Sequence, residues 1–113
     1  MNGVAKTLRF CGGALGDLRA FPDAARRDAG YQLDRVQNGL DPGDWKPMNT
    51  VGAGVREIRI RDPSGAFRVL YVAKFDDAIY VLHCFQKKTQ TTARTDLDLA
   101  MKRCRDLTRE LNP

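Results

Sequence analysis

The sequence predicts an α+β fold: a small twisted antiparallel sheet with helices packed on one face, in the order β-α-α-β-β-β-α. Two observations carry that expectation. Residues 54–90 break into three strand-like segments separated by turn residues, whereas on either side of them apolar residues recur at helical intervals. A chain of 113 residues fits one domain, residues 1–113, with a modest core of its own.

In chain order, residues 1–5 read as a loose start. Residues 7–11 (TLRFC) are a short strand candidate ended by Gly12-Gly13, and residues 14–20 suit a short helix with Leu15 and Leu18 on one side. Phe21-Pro22-Asp23 opens a second helix. Proline is harmless in a first turn, where its missing N–H would have no partner anyway, and Asp23 sits at the positive end of the dipole. Ala25, Ala29, Leu33, Val36 and Leu40 recur every three or four residues and predict one buried stripe. Arg26, Arg27, Asp34, Arg35 and Gln37 take the other side. Gly39 offers a left-handed stop, and Asp41-Pro42-Gly43 ends the helix. Residues 44–53 are expected to be a connecting loop. The only Trp, Trp45, lies in it, either covering the core edge or offering a stacking platform to a base.

The strands follow at residues 55–61, 66–75 and 78–85, joined by Asp62-Pro63-Ser64-Gly65 and Asp76-Asp77. In the first, Glu57, Arg59 and Arg61 alternate with Ile58 and Ile60. That period of two predicts a half-buried antiparallel strand, apolar inward and cationic outward. Arg68 interrupts an apolar run between Phe67 and Val69, and the third strand leads into the basic loop Gln86-Lys87-Lys88-Thr89-Gln90. Thr92 or Thr95 is placed to cap a last helix. Its apolar stripe is Leu97, Ala100, Met101, Cys104, Leu107 and Leu111, while Arg94, Lys102, Arg103, Arg105 and Arg109 cover the rest.

The net charge is +5, and from Gly52 onward twelve Lys/Arg stand against eight Asp/Glu, so the excess lies in the sheet and after it. That bias favours an anionic partner, nucleic acid first. Three cysteines (Cys11, Cys84, Cys104) make an odd count without metal-ligand spacing, and Lys6 and Arg9 interrupt the only candidate leader. No apolar run approaches the ~20 residues that span a bilayer. The expectation is a cytoplasmic protein with reduced thiols and no membrane partner.

Arg59 and Arg61 emerge on one side of their strand about 7 Å apart. Across the hairpin, Arg68 falls opposite Arg61 or Arg59. Three guanidinium groups in one patch repel one another unless an anion lies between them, and Glu57 alone does not neutralise three. A phosphate does. Lys87 and Lys88 suit a phosphate backbone next to that patch. His83 is the sole histidine, the one side-chain type whose unperturbed pKa lies near neutrality. Its alternation with Ile79, Val81 and Phe85 fits a proton-transfer group and a buried structural histidine alike; Tyr71 and Tyr80 pose the same choice. There is no Gly-rich phosphate loop, no HExxH and no Cys/His quartet, and adjacent Asp76-Asp77 reads as turn chemistry, so neither a cofactor nor a metal is expected. Cleavage of nucleic acid would then use the RNA's own 2′-hydroxyl. It needs cations around the phosphate, a proton acceptor and a proton donor, and it selects RNA over DNA.

The run VREIRIRDPSGAFRVLYVAKFDDAIYVLHCFQKKTQTT, with FPDAARRDAGYQLDRVQNGLDPGDWKPM before it, resembles the RelE/ParE superfamily of bacterial toxins, in its phage-derived, HigB-like branch. The resemblance extends over nearly the whole chain and implies a small twisted antiparallel sheet with helices on one face. It implies the toxin of a type II toxin–antitoxin module: a metal-independent, ribosome-dependent mRNA endonuclease acting on mRNA at the ribosome. A HigA-like helix-turn-helix antitoxin would neutralise it. In G-x-F-R, Arg68 matches the family's phosphate-contacting arginine, and Arg59 matches a basic position on the preceding strand. Lys87 and Lys88 fall where further basic residues follow the sheet. The proton-transfer tyrosine that RelE carries near its C-terminus has no counterpart here, which leaves His83 for that role or a different mechanism. The ParE-like branch inhibits gyrase without cutting RNA, and a phage accessory protein that binds nucleic acid is a further alternative.

Overall fold

The computed structural model describes residues 5–112, so the start expected of residues 1–5 lies, Ala5 aside, outside the described part. The elements are β1 (Thr7–Phe10), α1 (Ala14–Arg19), α2 (Asp23–Gln37), β2 (Trp45–Pro47), β3 (Val55–Asp62), β4 (Gly65–Val72), β5 (Ala78–Lys87) and α3 (Arg94–Leu111). The α+β class is as the sequence predicts. The strands form one sheet in the order β1-β5-β4-β3-β2.

Three details of the architecture differ from expectation. The sheet is mixed, because β1 pairs parallel to β5 while the other pairs are antiparallel. No hairpin joins β1 to β5, so no turn imposes an antiparallel sense. Residues 45–47 form an edge strand inside the expected loop. Its proline is harmless there, since an edge strand has one side on which no ladder hydrogen bond is made. The helices, finally, cover both faces. α1 and α2 bury Leu18, Phe21, Ala25, Ala29, Leu33 and Val36 against Ile58, Ile60, Phe67, Val69 and Val81. The stripe of α3 packs with Leu70, Val72, Tyr80 and Leu82 on the opposite face. A face of β4 and β5 this apolar needs its own cover, and among the described elements α3 supplies it.

Smaller differences have local causes. β4 stops at Val72, β5 runs on to Lys87, and Ala93 rather than Thr92 or Thr95 occupies the N-cap of α3 without a side-chain cap bond. Leu40 lies beyond the end of α2 and is exposed, because Gly39 turns the chain away at φ +82°. Trp45 stays half-buried, with the Arg56 guanidinium 4.1 Å from its ring centre. Among the described residues, no helix is long and apolar enough to cross a membrane.

Cys84 fills the core as expected, and its burial pushes the thiol up to about 12. The folded thiol thus titrates above the unfolded one. It leaves stability untouched below the ordinary thiol range and lowers it as pH climbs from there toward 12. At pH 8 about one native Cys84 in ten thousand is thiolate, so iodoacetamide is expected to label it only after unfolding. Native labelling at the unfolded rate would contradict this packing.

Candidate functional site

β3 and β4 pair residue for residue through their hairpin, and the register sets Arg59 directly opposite Arg68. Of the two partners open to Arg68 in the sequence, this is the one selected. Arg61 pairs with Ala66, and Ala66 with Lys87, so Arg61, Arg59, Arg68 and Lys87 share one face near the hairpin tip. Lys88 lies past the end of β5 and is exposed. α3 packs on this same face, over the part built by Leu70, Val72, Tyr80 and Leu82.

Beneath the arginines lies Glu57, which the alternation placed outward with the cations. It is instead 1% exposed. Its Oε1 is 3.5 Å from Arg68 Nε, 3.7 Å from Arg59 Nε and 3.8 Å from Lys46 Nζ. These are ion-pair distances. Neither carboxylate oxygen, nor the Nε of Arg59 or Arg68, finds a hydrogen-bond partner among the described residues. One buried negative charge thus sits under three cations, and the cluster keeps a positive surplus. Lys46 belongs to it because β2 aligns Lys46 with Glu57. The sequence hid Lys46 in an apparent loop, and only strand pairing reveals it.

Arg68 is the most enclosed of the three cations. Burial, joined by Arg59 and Arg61, draws its guanidinium below the usual arginine value, while Glu57 and Asp44 oppose the shift. It remains charged at neutral pH. An anion reaching this group would meet a cation that water screens little, where electrostatic contact is strongest.

His83 sits one row further along the same face. It pairs with Leu70, whereas Arg68 pairs with Phe85, and the bulge at Leu70/Tyr71 brings this about. Ile79 and Val81 belong to the α1/α2 side, and the bulge turns His83 to the α3 side. The ring is buried and stacks on Phe85 at 5.0 Å. Nε2 lies 2.8 Å from Asp96 Oδ1, and Arg103 Nη1 lies 3.5 Å from Nδ1. An arginine only donates, so in its contact with Arg103 Nδ1 accepts, and Nε2–H then donates to Asp96. Arg103 also donates to the Leu82 carbonyl at 2.9 Å, which fixes it beside the ring. Asp17 of α1 lies 3.9 Å from Nδ1.

His83 therefore communicates with solvent through Asp96, which is a quarter exposed. Asp96 lines a cavity of about 420 Å³ with Phe85, Lys87, Lys88 and Thr89. An acid in the first turn of α3 is readable from sequence as a dipole complement. Its bond to His83 is not. Tyr71 faces the other side of the sheet, within the α1/α2 core, and the Tyr80 hydroxyl donates to Asp77 at 2.6 Å. The arrangement offers a fixed cation cluster, a basic rim and a carboxylate–imidazole pair beside it.

No protein of curated function matches this chain. A family profile does: residues 16–105, about four fifths of the length, match the family described as phage derived protein Gp49-like (DUF891). The match runs from α1 through most of α3 and takes in Lys46, Glu57, Arg59, Arg61, Arg68, His83, Lys87, Lys88 and Asp96. With the fold and the cation cluster in place, that extent settles the relationship: the chain belongs to the Gp49-like family of phage-derived proteins.

Proposed function

We propose that this protein is the toxin of a type II toxin–antitoxin pair, and that it inhibits translation by cleaving mRNA at the ribosome. Its relationship to RelE/ParE toxins of the HigB-like branch is part of this reading, as is a single catalytic domain. The Gp49-like family is related to toxin–antitoxin toxins, which supports it. The observation that carries it is the cross-strand Arg59/Arg68 pair, held with Lys46 around a single buried carboxylate.

In the proposed reaction the RNA 2′-oxygen loses its proton and attacks the adjacent phosphorus. The bond from phosphorus to the 5′-oxygen breaks, that oxygen gains a proton, and a 2′,3′-cyclic phosphate remains. Arg59 and Arg68 hold the non-bridging oxygens, where charge accumulates in the transition state. Arg61, Lys87 and Lys88 hold the flanking backbone. His83 contributes to proton transfer through Asp96, its contact with the cavity. The proposed partner is an antitoxin, of the HigA-like helix-turn-helix kind, whose acidic or apolar surface covers the basic face.

Induced expression without an antitoxin, followed by primer extension on cellular mRNA, tests the proposal. Discrete breaks within translated messages, lost when translation is blocked, are expected. Intact mRNA with DNA-damage signalling would assign a gyrase-directed toxin instead, and harmless expression a nucleic-acid-binding accessory protein.

A further inference from the structure

Tyr71 lies on the sheet face opposite the cation cluster. It is fully buried, yet its hydroxyl finds no hydrogen-bond partner among the described residues. Buried hydroxyls are nearly always satisfied, so an unpartnered one calls for an explanation. Its cross-strand neighbour Arg56 brings a guanidinium close enough to stabilise the ionised hydroxyl against the rise that burial causes, although the contact falls short of a well-formed hydrogen bond. A cavity of about 440 Å³ opens at this point, where α2 ends. Lys6, Arg56 and Tyr71 supply its charged and hydroxyl groups, and Val36, Leu40 and Ile79 its apolar wall.

The polar groups are mostly donors. Lys6 Nζ donates to the carbonyls of Ala73 and Phe75 at 3.2 and 2.8 Å, which leaves its third hydrogen. Arg56 Nη1 donates to Asp41 Oδ1 at 3.0 Å and keeps the rest of its fork. Among the described residues, no Asp or Glu lines the cavity. Two cations line this hollow above the buried Tyr71 hydroxyl, and their one countercharge among the described residues, Asp41, stands outside it; the set fits an anion with two oxygens. Asp41 already shows that Arg56 accepts a carboxylate, and its side chain is largely exposed, so a ligand carboxylate can replace it at little cost in solvation. The exposed Leu40 lines the cavity and suits the remainder of such a ligand.

We propose that this cavity binds a carboxylate on a short aliphatic stem, its oxygens held by Arg56, Lys6 and the Tyr71 hydroxyl and its stem laid against Val36, Leu40 and Ile79. A free aliphatic acid and the C-terminus of a polypeptide share that chemistry. The site is independent of the proposed reaction, since it lies across the sheet from the arginine pair.

Titration of ¹⁵N-labelled protein with hexanoate, followed by NMR, is the test. Saturable shifts at Gly39, Arg56 and Tyr71 are expected, with none from hexanamide or inorganic phosphate. Tyr71→Phe should weaken hexanoate about tenfold, the scale of one hydrogen bond to a charged acceptor. This variant should melt no lower than the parent, because it removes a hydroxyl without a partner. Arg56→Gln should abolish binding. Equal shifts with hexanamide, no shifts at all, or unchanged affinity in Tyr71→Phe would overturn the proposal, as would a Tyr71→Phe variant that melts well below the parent. N-acetyl-Leu-Leu with a free carboxylate then identifies the source. Binding tighter than hexanoate supports a polypeptide C-terminus, and weaker binding supports a small free acid.

Discussion

Under the proposed toxin activity, replacing Arg68 with alanine is expected to give a folded protein that no longer arrests growth or breaks mRNA. Arg68 is the most enclosed cation of the cluster, and its side chain is 11% exposed. A phosphate held there in place of water meets a preorganised charge. Removing one such contact from a transition state costs about a hundred- to a thousandfold in rate. The fold should persist, since Glu57 retains Lys46 and Arg59 within 4 Å. Arg68→Lys should fall between the two, because it keeps the charge and loses the planar fork that grips two oxygens. Growth assays and primer extension, run beside a circular dichroism melt, check all of this. A folded Arg68→Ala chain with full toxicity would remove Arg68 from the reaction.

Glu57→Ala is expected to lower stability by about 2–3 kcal/mol in urea unfolding at low salt. Breaking a buried ion pair by removing one partner commonly costs about 3–5 kcal/mol. The lower figure applies because Lys46 and Arg59 are each a third or more exposed and regain water when freed. Arg68 does not, and it is left facing Arg59 across the ladder with nothing between them. Glu57→Gln keeps the volume and isolates the charge. Its deficit should shrink as salt rises, and phosphate should restore it more than chloride at equal ionic strength, by occupying the vacated counter-ion position. Indifference of Glu57→Gln to both would mean that the carboxylate does not hold the cations together.

The two variants separate roles that the sequence merged. Period-two alternation put Glu57, Arg59 and Arg61 on one face, and the structure agrees. What alternation lacks is depth. Glu57 and Arg61 share a face, yet one is buried and the other exposed, because α3 and the side chains of β2 approach only part of that face. Lys46 shows the same limit from the other side. A three-residue edge strand with a proline carries too few residues for a period, so the sequence alone suits a loop, and the pairing with Glu57 emerges only in three dimensions. For His83 the sequence left two readings open. A bulge between β4 and β5 decided its direction, and one extra residue in a ladder leaves no compositional trace.

Local chemistry was written in the chain itself. The hairpin of β3 and β4, the apolar stripes of α2 and α3, the left-handed stop at Gly39 and the mid-strand Arg68 all follow from interactions within a few residues, where side-chain period and turn preference act. Folding in space decided the rest: the parallel β1, α3 on the second face, Lys46 and Glu57 under the arginines, and Asp96 against His83. Most of those contacts join separate elements of the chain. Nothing local ties them to one another, and they form only when burying both faces of the sheet brings the segments together.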